Sequence, residues 1–236
     1  MSASAEATVL IRAVVFDLDG LMFDTEALFF RVASEALGDR GKTFTPEIMK
    51  QFIGRRAAEV AECWKTLAGV EEPVEDFLAD VRTRFYSVMD TAVHPTPGLF
   101  VLLDRLRLAA VPAAVATSSR HSYVDRLLVR HGIADRFLFV LASEDVSRGK
   151  PDPEIYQLAA QRFGVPALSM LVLEDSPAGL AAAKGAGAIA VGVPHEHSPV
   201  EGLCAADLVV LSLDDPSLLR FFESLDEKSD ANERSH

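Results

Sequence analysis

The chain has 236 residues, of which 49% are apolar and 25% charged, and this excludes a chain left disordered for want of a core. Its 23 Lys plus Arg against 35 Asp plus Glu give a net charge of −12, so it lacks the basic footprint of a nucleic-acid binder and matches anionic membranes poorly. Its two cysteines, Cys63 and Cys204, are too few for a disulfide scaffold or a four-cysteine metal site, and no apolar run reaches membrane-spanning length.

Residues 1–8 carry Glu6 and no basic cluster, and the apolar run after them contains Arg12 and ends in Asp17. This start reads as a disordered leader into a strand, not as an export signal, and a reduced cytoplasmic protein is expected. Val9–Phe16 is the first predicted strand. From Asp24 to Thr91 no strand pattern appears; Ala27–Leu37, Pro46–Phe52, Ala57–Leu67 and Val74–Asp90 read as helices, with Trp64, Phe77, Phe85 and Met89 on inner faces. This block, residues 24–93, is read as an inserted helical domain, and His94-Pro95-Thr96-Pro97-Gly98 as its stiff exit.

Beyond it, Leu99, Leu102, Leu103 and Leu106 repeat at helical spacing, as do Val124, Leu127 and Leu128, with Gly132 as a helix stop. Val111–Ala116, Phe137–Leu141, Met170–Leu173, Ala188–Val193 and Leu208–Leu211 are short apolar runs without two-residue alternation, the mark of strands buried on both faces. Strands alternating with helices predict an α/β fold: a doubly wound, parallel-sheet, Rossmann-like core over residues 9–23 and 94–225. Residues 226–236 are polar and read as a disordered tail. Without a coiled-coil seam or an evident swapped arm, a monomer is expected.

Four segments carry chemistry. Val15-Phe16-Asp17-Leu18-Asp19-Gly20 ends the first strand in two acids, and ligands of open α/β sheets sit beyond the carboxyl ends of strands. Paired carboxylates there suit a magnesium ion, and a carboxylate can attack phosphorus; a solvated acidic turn is the plainer alternative. Ala116-Thr117-Ser118-Ser119 places hydroxyls before a helix, as phosphate donors or as a serine helix cap. In Gly149-Lys150-Pro151-Asp152-Pro153, Asp152 is the expected cap with Pro153 first in the helix, and Lys150 is extended outside it. Leu173-Glu174-Asp175-Ser176-Pro177 delivers two more acids at a strand end, with Ser176 capping the next helix and Gly185 and Gly187 ending it.

The order Asp-x-Asp-Gly, Thr, Lys-Pro, Glu-Asp resembles the haloacid dehalogenase superfamily, and Asp17-Leu18-Asp19-Gly20-Leu21-Met22-Phe23-Asp24-Thr25-Glu26 is very similar to the opening of its phosphatase and β-phosphoglucomutase-like branch. The resemblance covers roughly residues 10–225 and makes the helical block a cap. It implies that Asp17 is the nucleophile, that Asp19 protonates the leaving oxygen and then activates water, and that Thr117 and Lys150 hold phosphoryl oxygens. It implies Mg²⁺ between the Asp17 carboxylate, the Asp19 backbone carbonyl and Asp175, with Glu174 as a second ligand or an outer partner.

Asp19 makes carbon–halogen and carbon–phosphorus cleavage unlike this chain, since those branches lack an acid at that position. In Phe52-Ile53-Gly54-Arg55-Arg56-Ala57 the position of the mutases' phosphate-gripping arginine is Ala57, which favours hydrolysis of a small phosphorylated metabolite over a sugar phosphomutase; substitution of that arginine by the adjacent Arg55 or Arg56 is the alternative. Gly54, Arg55 and Arg56 are the candidate cap contacts to substrate, alternatively surface charge. Glu26, Ser118 and Arg120 are further candidates near the phosphate. His94, His195 and His197 show no ligand spacing. A non-catalytic metabolite-binding module on the same fold is the remaining alternative.

Overall fold

The computed structural model describes residues 10–51, 57–195 and 200–222. The expected tails, and the segment carrying Gly54, Arg55 and Arg56, lie outside the described residues, as does His197.

Six parallel strands form one sheet: β1 (Ala13–Phe16), β2 (Ala113–Ala116), β3 (Val140–Leu141), β4 (Met170–Glu174), β5 (Ile189–Gly192) and β6 (Leu208–Val209), in the order β3-β2-β1-β4-β5-β6. All six expected strands are present, shorter at their ends. Leu10 and Leu211, which the apolar runs included, are 74% and 82% exposed, so the strands stop where cover on both faces stops. Alternate residues serve two separate cores: Val14, Phe16, Leu171 and Leu173 face one side, Ala13, Val15, Met170 and Val172 the other. That division is why the runs show no two-residue alternation.

Four helices follow β1: α1 (Thr25–Gly38), α2 (Pro46–Lys50), α3 (Ala57–Thr66) and α4 (Val74–Ala92). Trp64 anchors their packing, with ring centroids 5.0 Å from Phe77 and 5.1 Å from Phe44. The two chain segments joining this block to the sheet are hydrogen-bonded to each other. Phe23 bridges Pro95, Asp24 N–H donates to the His94 carbonyl at 3.0 Å, and Thr96 N–H donates to the Met22 carbonyl at 3.0 Å. The exit predicted stiff from its prolines is thus also tied to the entrance.

The remaining helices are α5 (Leu99–Leu108), α6 (His121–Arg130), α7 (Glu154–Phe163), α8 (Pro177–Gly185) and α9 (Pro216–Leu219). Helices α5, α6 and α9 cover one face of the sheet through Leu102, Leu106, Val124, Leu127 and Leu218. Helices α7 and α8 cover the other through Ile155, Ala159, Leu180 and Ala183, which completes the doubly wound arrangement. Ser176 caps α8 as expected, accepting from Gly179 N–H at 3.0 Å. At α7 the expectation is one residue off: Pro153 takes the cap position and the helix begins at Glu154, while the Asp152 carboxylate still accepts from Glu154 N–H at 3.0 Å.

Candidate active site

Strand pairing brings the first and fourth sequence segments together. Phe16 is in register with Leu173, and Asp17 N–H donates to the Leu173 carbonyl at 3.0 Å. Asp17 therefore leaves β1 beside Glu174 and Asp175 leaving β4, at the point where the sheet order reverses. On the other side of β1, Thr117 follows β2 and donates its N–H to the Leu141 carbonyl at 3.0 Å.

Lys150 reaches into this cluster from its loop. Its ammonium lies 2.5 Å from Asp17 Oδ1, 2.6 Å from Glu174 Oε1 and 3.0 Å from the Ala116 carbonyl, so its three protons are all engaged. Glu174 is fully buried; Oε1 also accepts from the Tyr156 hydroxyl, and Oε2 accepts from the Ser176 hydroxyl at 3.0 Å. A Cβ at Gly179 would collide with that carboxylate, so a glycine is required there for Glu174 to reach Lys150. Burial pushes the Asp17 carboxyl well above the usual carboxylate range, opposed by Lys150. Burial alone would discharge Lys150, but Asp17 and Glu174 outweigh it and hold its pKa well above the ordinary lysine value.

Asp19 is held apart from that cluster. Oδ2 accepts from the Ser119 hydroxyl at 2.6 Å and Oδ1 from the Tyr123 hydroxyl at 2.9 Å. Ser119 is therefore not the plain helix cap considered from the sequence: α6 starts at His121, with Arg120 in the cap position and no side-chain cap. The Thr117 hydroxyl oxygen accepts from Ser119 N–H at 3.0 Å, and among the described residues its own proton has no acceptor in the protein. The residue is buried.

A second cluster adjoins the first. His195 Nε2 lies 3.0 Å from Asp175 Oδ2 and 3.5 Å from Glu26 Oε2. No spacing in the sequence marks His195: it follows β5, and the parallel pairing of β5 with β4 brings it to Asp175. Burial raises the Glu26 pKa to about 7, opposed by His195. Burial likewise raises Asp175, opposed by its hydrogen bond to His195. For His195 burial works against charge, but Asp175 and Glu26 prevail and its pKa is raised. Glu26 Oε2 is buried without a hydrogen-bond partner among the described residues.

The residues fit a divalent cation. Asp17, Glu174 and Asp175 each offer an oxygen, all within 4.8 Å of one another. Three acids share one ammonium in a buried space, and an all-oxygen donor set is what Mg²⁺ prefers.

A cleft of about 710 Å³ runs from Asp19 between the sheet and the helical block. Glu26, Ser118 and Arg120, the sequence's further candidates near the phosphate, line it, with Ser118 and Arg120 exposed. So does Phe85, which was expected on an inner face but is half-buried and open to the cleft. Tyr123, Tyr156 and the place of His195 beside Asp175 were not found by sequence reasoning, and Ser119, named there among the hydroxyls of its segment, was not connected to Asp19.

Residues 14–193 match the model of the haloacid dehalogenase-like hydrolase family. Over 217 residues the chain is 31% identical to (DL)-glycerol-3-phosphatase 2 of Arabidopsis thaliana, covering 87% of this chain and 88% of that one. It is 31% identical to validoxylamine A 7'-phosphate phosphatase of Streptomyces hygroscopicus subsp. limoneus, covering 86% and 95%. A HAD family hydrolase from Deinococcus radiodurans R1, solved with bound phosphate and sodium, superposes with a TM-score of 0.77 at 29% identity, covering 90% and 97%. With its four motif segments gathered at the carboxyl ends of the strands and most of its length matched, the chain belongs to the haloacid dehalogenase-like hydrolases and is a phosphoric monoester hydrolase of that family.

Proposed function

We propose that the protein is a Mg²⁺-dependent phosphatase that hydrolyses a small phosphomonoester, a sugar phosphate or a similar metabolite, through an aspartyl-phosphate on Asp17. The observation that carries this reading is the separation of two carboxyl groups only two residues apart. Asp17 is bonded to Lys150 in the buried cluster, and Asp19 is turned to Ser119 and Tyr123 at the cleft. One acid is placed to attack and the other to move protons on the leaving-group side.

A carboxylate oxygen of Asp17 attacks phosphorus as the ester P–O bond breaks, and the Asp19 carboxyl gives its proton to the departing alkoxide. Water then attacks the aspartyl-phosphate, Asp19 takes its proton, and the P–O bond to Asp17 breaks to release phosphate. Lys150 orients Asp17 and offsets developing charge; a direct contact to phosphate requires it to exchange one of its present partners. Thr117 donates its free hydroxyl proton to a phosphoryl oxygen. Asp17, Asp175 and the Asp19 carbonyl would hold Mg²⁺, which supplies electrostatic stabilisation of the transferring phosphoryl group. Glu174, with both oxygens engaged, holds Lys150 in place. The helical block acts as a cap that limits water.

The mutase alternative has less support, since the relatives named above are phosphatases. A monomer in a reduced, cytoplasmic setting is kept as part of the reading; the free cysteines, Cys63 buried and Cys204 exposed, agree with it. No helix among the described residues is long and apolar enough to cross a membrane.

The test is phosphate release from a panel of phosphomonoesters with Mg²⁺ and with chelator, beside acid-quench trapping of labelled phosphate on the chain. Magnesium-dependent release with label on wild type and none on Asp17→Asn supports the mechanism. Full turnover by Asp17→Asn sinks it. Conversion of β-glucose 1-phosphate to glucose 6-phosphate without phosphate release moves the assignment to a mutase.

A further inference from the structure

The cleft beyond Asp19 changes character along its length. Near Asp19 it is polar, with Thr25, Glu26, Ser118, Ser119 and Ser143 on its walls. On the cap side it is lined by Phe29, Phe44, Met49, Trp64, Leu78 and Phe85, together with the polar Arg82 and Tyr86. Phe29 belongs to α1, Met49 to α2, Trp64 to α3 and Leu78 and Phe85 to α4, while Phe44 lies on the segment before α2. Phe29, Leu78 and Phe85 are only half-buried in the folded chain, so apolar surface is left open beside a charged centre.

The wall is continuous with the proton-transfer end of the site. The Tyr123 hydroxyl donates to Asp19, and the Tyr123 ring lies 6.1 Å from Phe85 and 6.0 Å from Tyr86. Trp64, which also lines the cleft, lies 5.1 Å from Phe44 and 6.4 Å from Phe29. A leaving group whose ester oxygen meets Asp19 must extend along these rings. A polyol can lay one face on an aromatic ring, but its hydroxyl edges need donors and acceptors in the same plane. Phe29, Leu78 and Phe85 offer none, which leaves Arg82, Tyr86 and the polar end of the cleft to pair them, and each hydroxyl left unpaired is penalised. An aromatic or apolar ring gains from the same surface.

Resting on the phosphatase reading above, we propose that the substrate is an amphipathic phosphomonoester. Its alcohol is polar next to the ester oxygen and carries a flat apolar or aromatic ring beyond it, and that ring is held between the Trp64 side and Phe85.

The test separates this proposal from the reading beneath it. Primary alkyl phosphates have similar leaving groups, so 3-phenylpropyl phosphate is compared with glycerol 3-phosphate and glucose 6-phosphate in magnesium. The expected result is at least a ~10-fold higher kcat/KM for the phenyl ester, expressed mainly in KM, a pattern that reports binding of the leaving group. In Phe85→Ala, and separately in Leu78→Gln, the preference is expected to fall below ~3-fold, a loss of apolar contact with the ring.

Binding is measured independently of turnover. Trp64 is the chain's one tryptophan and lines the cleft, so its emission reports occupancy. Titration with 3-phenylpropylphosphonate against propylphosphonate is expected to show at least ~10-fold tighter binding of the aryl compound, a difference of about 1.4 kcal/mol. Equal affinities, or a kcat/KM that favours the polyol phosphates, overturns the proposal. Aryl-selective binding with no phosphate release from any ester leaves the apolar cleft standing and removes the phosphatase reading instead.

Discussion

The strand-end cluster and the cap-side wall of the cleft lie on either side of Asp19 and are built on opposite principles. In the cluster nearly every polar atom has an assigned partner: Lys150 spends three protons, and Glu174 accepts from Lys150, Tyr156 and Ser176. The wall is mostly rings and aliphatic side chains, with Trp64 packed against Phe29 and Phe44. Buried charge tolerates almost no change of partner, whereas apolar surface accepts substitutions of similar volume. On the proposed reading the chemistry is held in the sheet and the selectivity in the helical block.

The largest effect should come from the cluster. Asp17→Asn removes the attacking oxygen and is expected to lower kcat at least ~1,000-fold, about 4 kcal/mol of barrier, with circular dichroism unchanged. A residual rate near wild type would mean that Asp17 is structural. Lys150→Met leaves Asp17 and Glu174 facing each other without their shared cation. Removal of one partner from a buried ion group typically destabilises by about 3–5 kcal/mol, readable as a lower urea midpoint without metal. A smaller shift would show that Lys150 contributes chiefly to phosphate binding.

Gly179→Ala pushes a methyl against the Glu174 carboxylate on α8, where the glycine has no other evident task. Overpacking of this kind costs about 1–3 kcal/mol. Stability like that of wild type would mean that Glu174 moves aside freely and does not rigidly hold Lys150. At the boundary of the two regions, Tyr123→Phe keeps the ring of the wall and deletes the hydroxyl bonded to Asp19. The expected result is about a 10-fold loss in kcat with KM nearly unchanged, as for a group that positions the proton donor. A rise in KM alone would assign Tyr123 to the wall only.

The same contrast governs what could be read from the sequence. Asp17, Asp19, Thr117, Lys150, Glu174 and Asp175 stand directly after strands or in a loop with fixed turn chemistry, so their positions follow from where short apolar runs end. Ser119, Tyr123 and His195 depend on which neighbour the tertiary fold supplies. Tyr123 sits one turn into α6, where an aromatic at helical spacing reads as core, and it is indeed buried apart from its bond to Asp19. Phe85 shows the converse: the spacing that predicts an inner face does not tell a filled core from a cleft floor. Asp152 and Pro153 were legible as a helix start but not to the residue, because the Asp152 carboxylate caps equally well from one position further out.

The smallest effect tests how closely Glu26 is tied to both regions. Burial raises its pKa to about 7 from an ordinary value of 4.5. The folded chain thus holds this proton more tightly than the unfolded chain, and stability must fall as pH rises from 4.5 through about 7. His195, whose pKa is also raised, acts in the same direction, since its charged form is favoured by folding and is lost as pH rises through its folded value. In Glu26→Gln the first contribution disappears and the second weakens with the loss of its partner charge. Melting temperature measured in chelator should therefore decline less steeply across that pH window in the variant than in wild type, each kcal/mol appearing as about 2–4 °C. Parallel curves would place Glu26 at the wet mouth of the cleft, ionised throughout, and would detach it from Asp175 and His195.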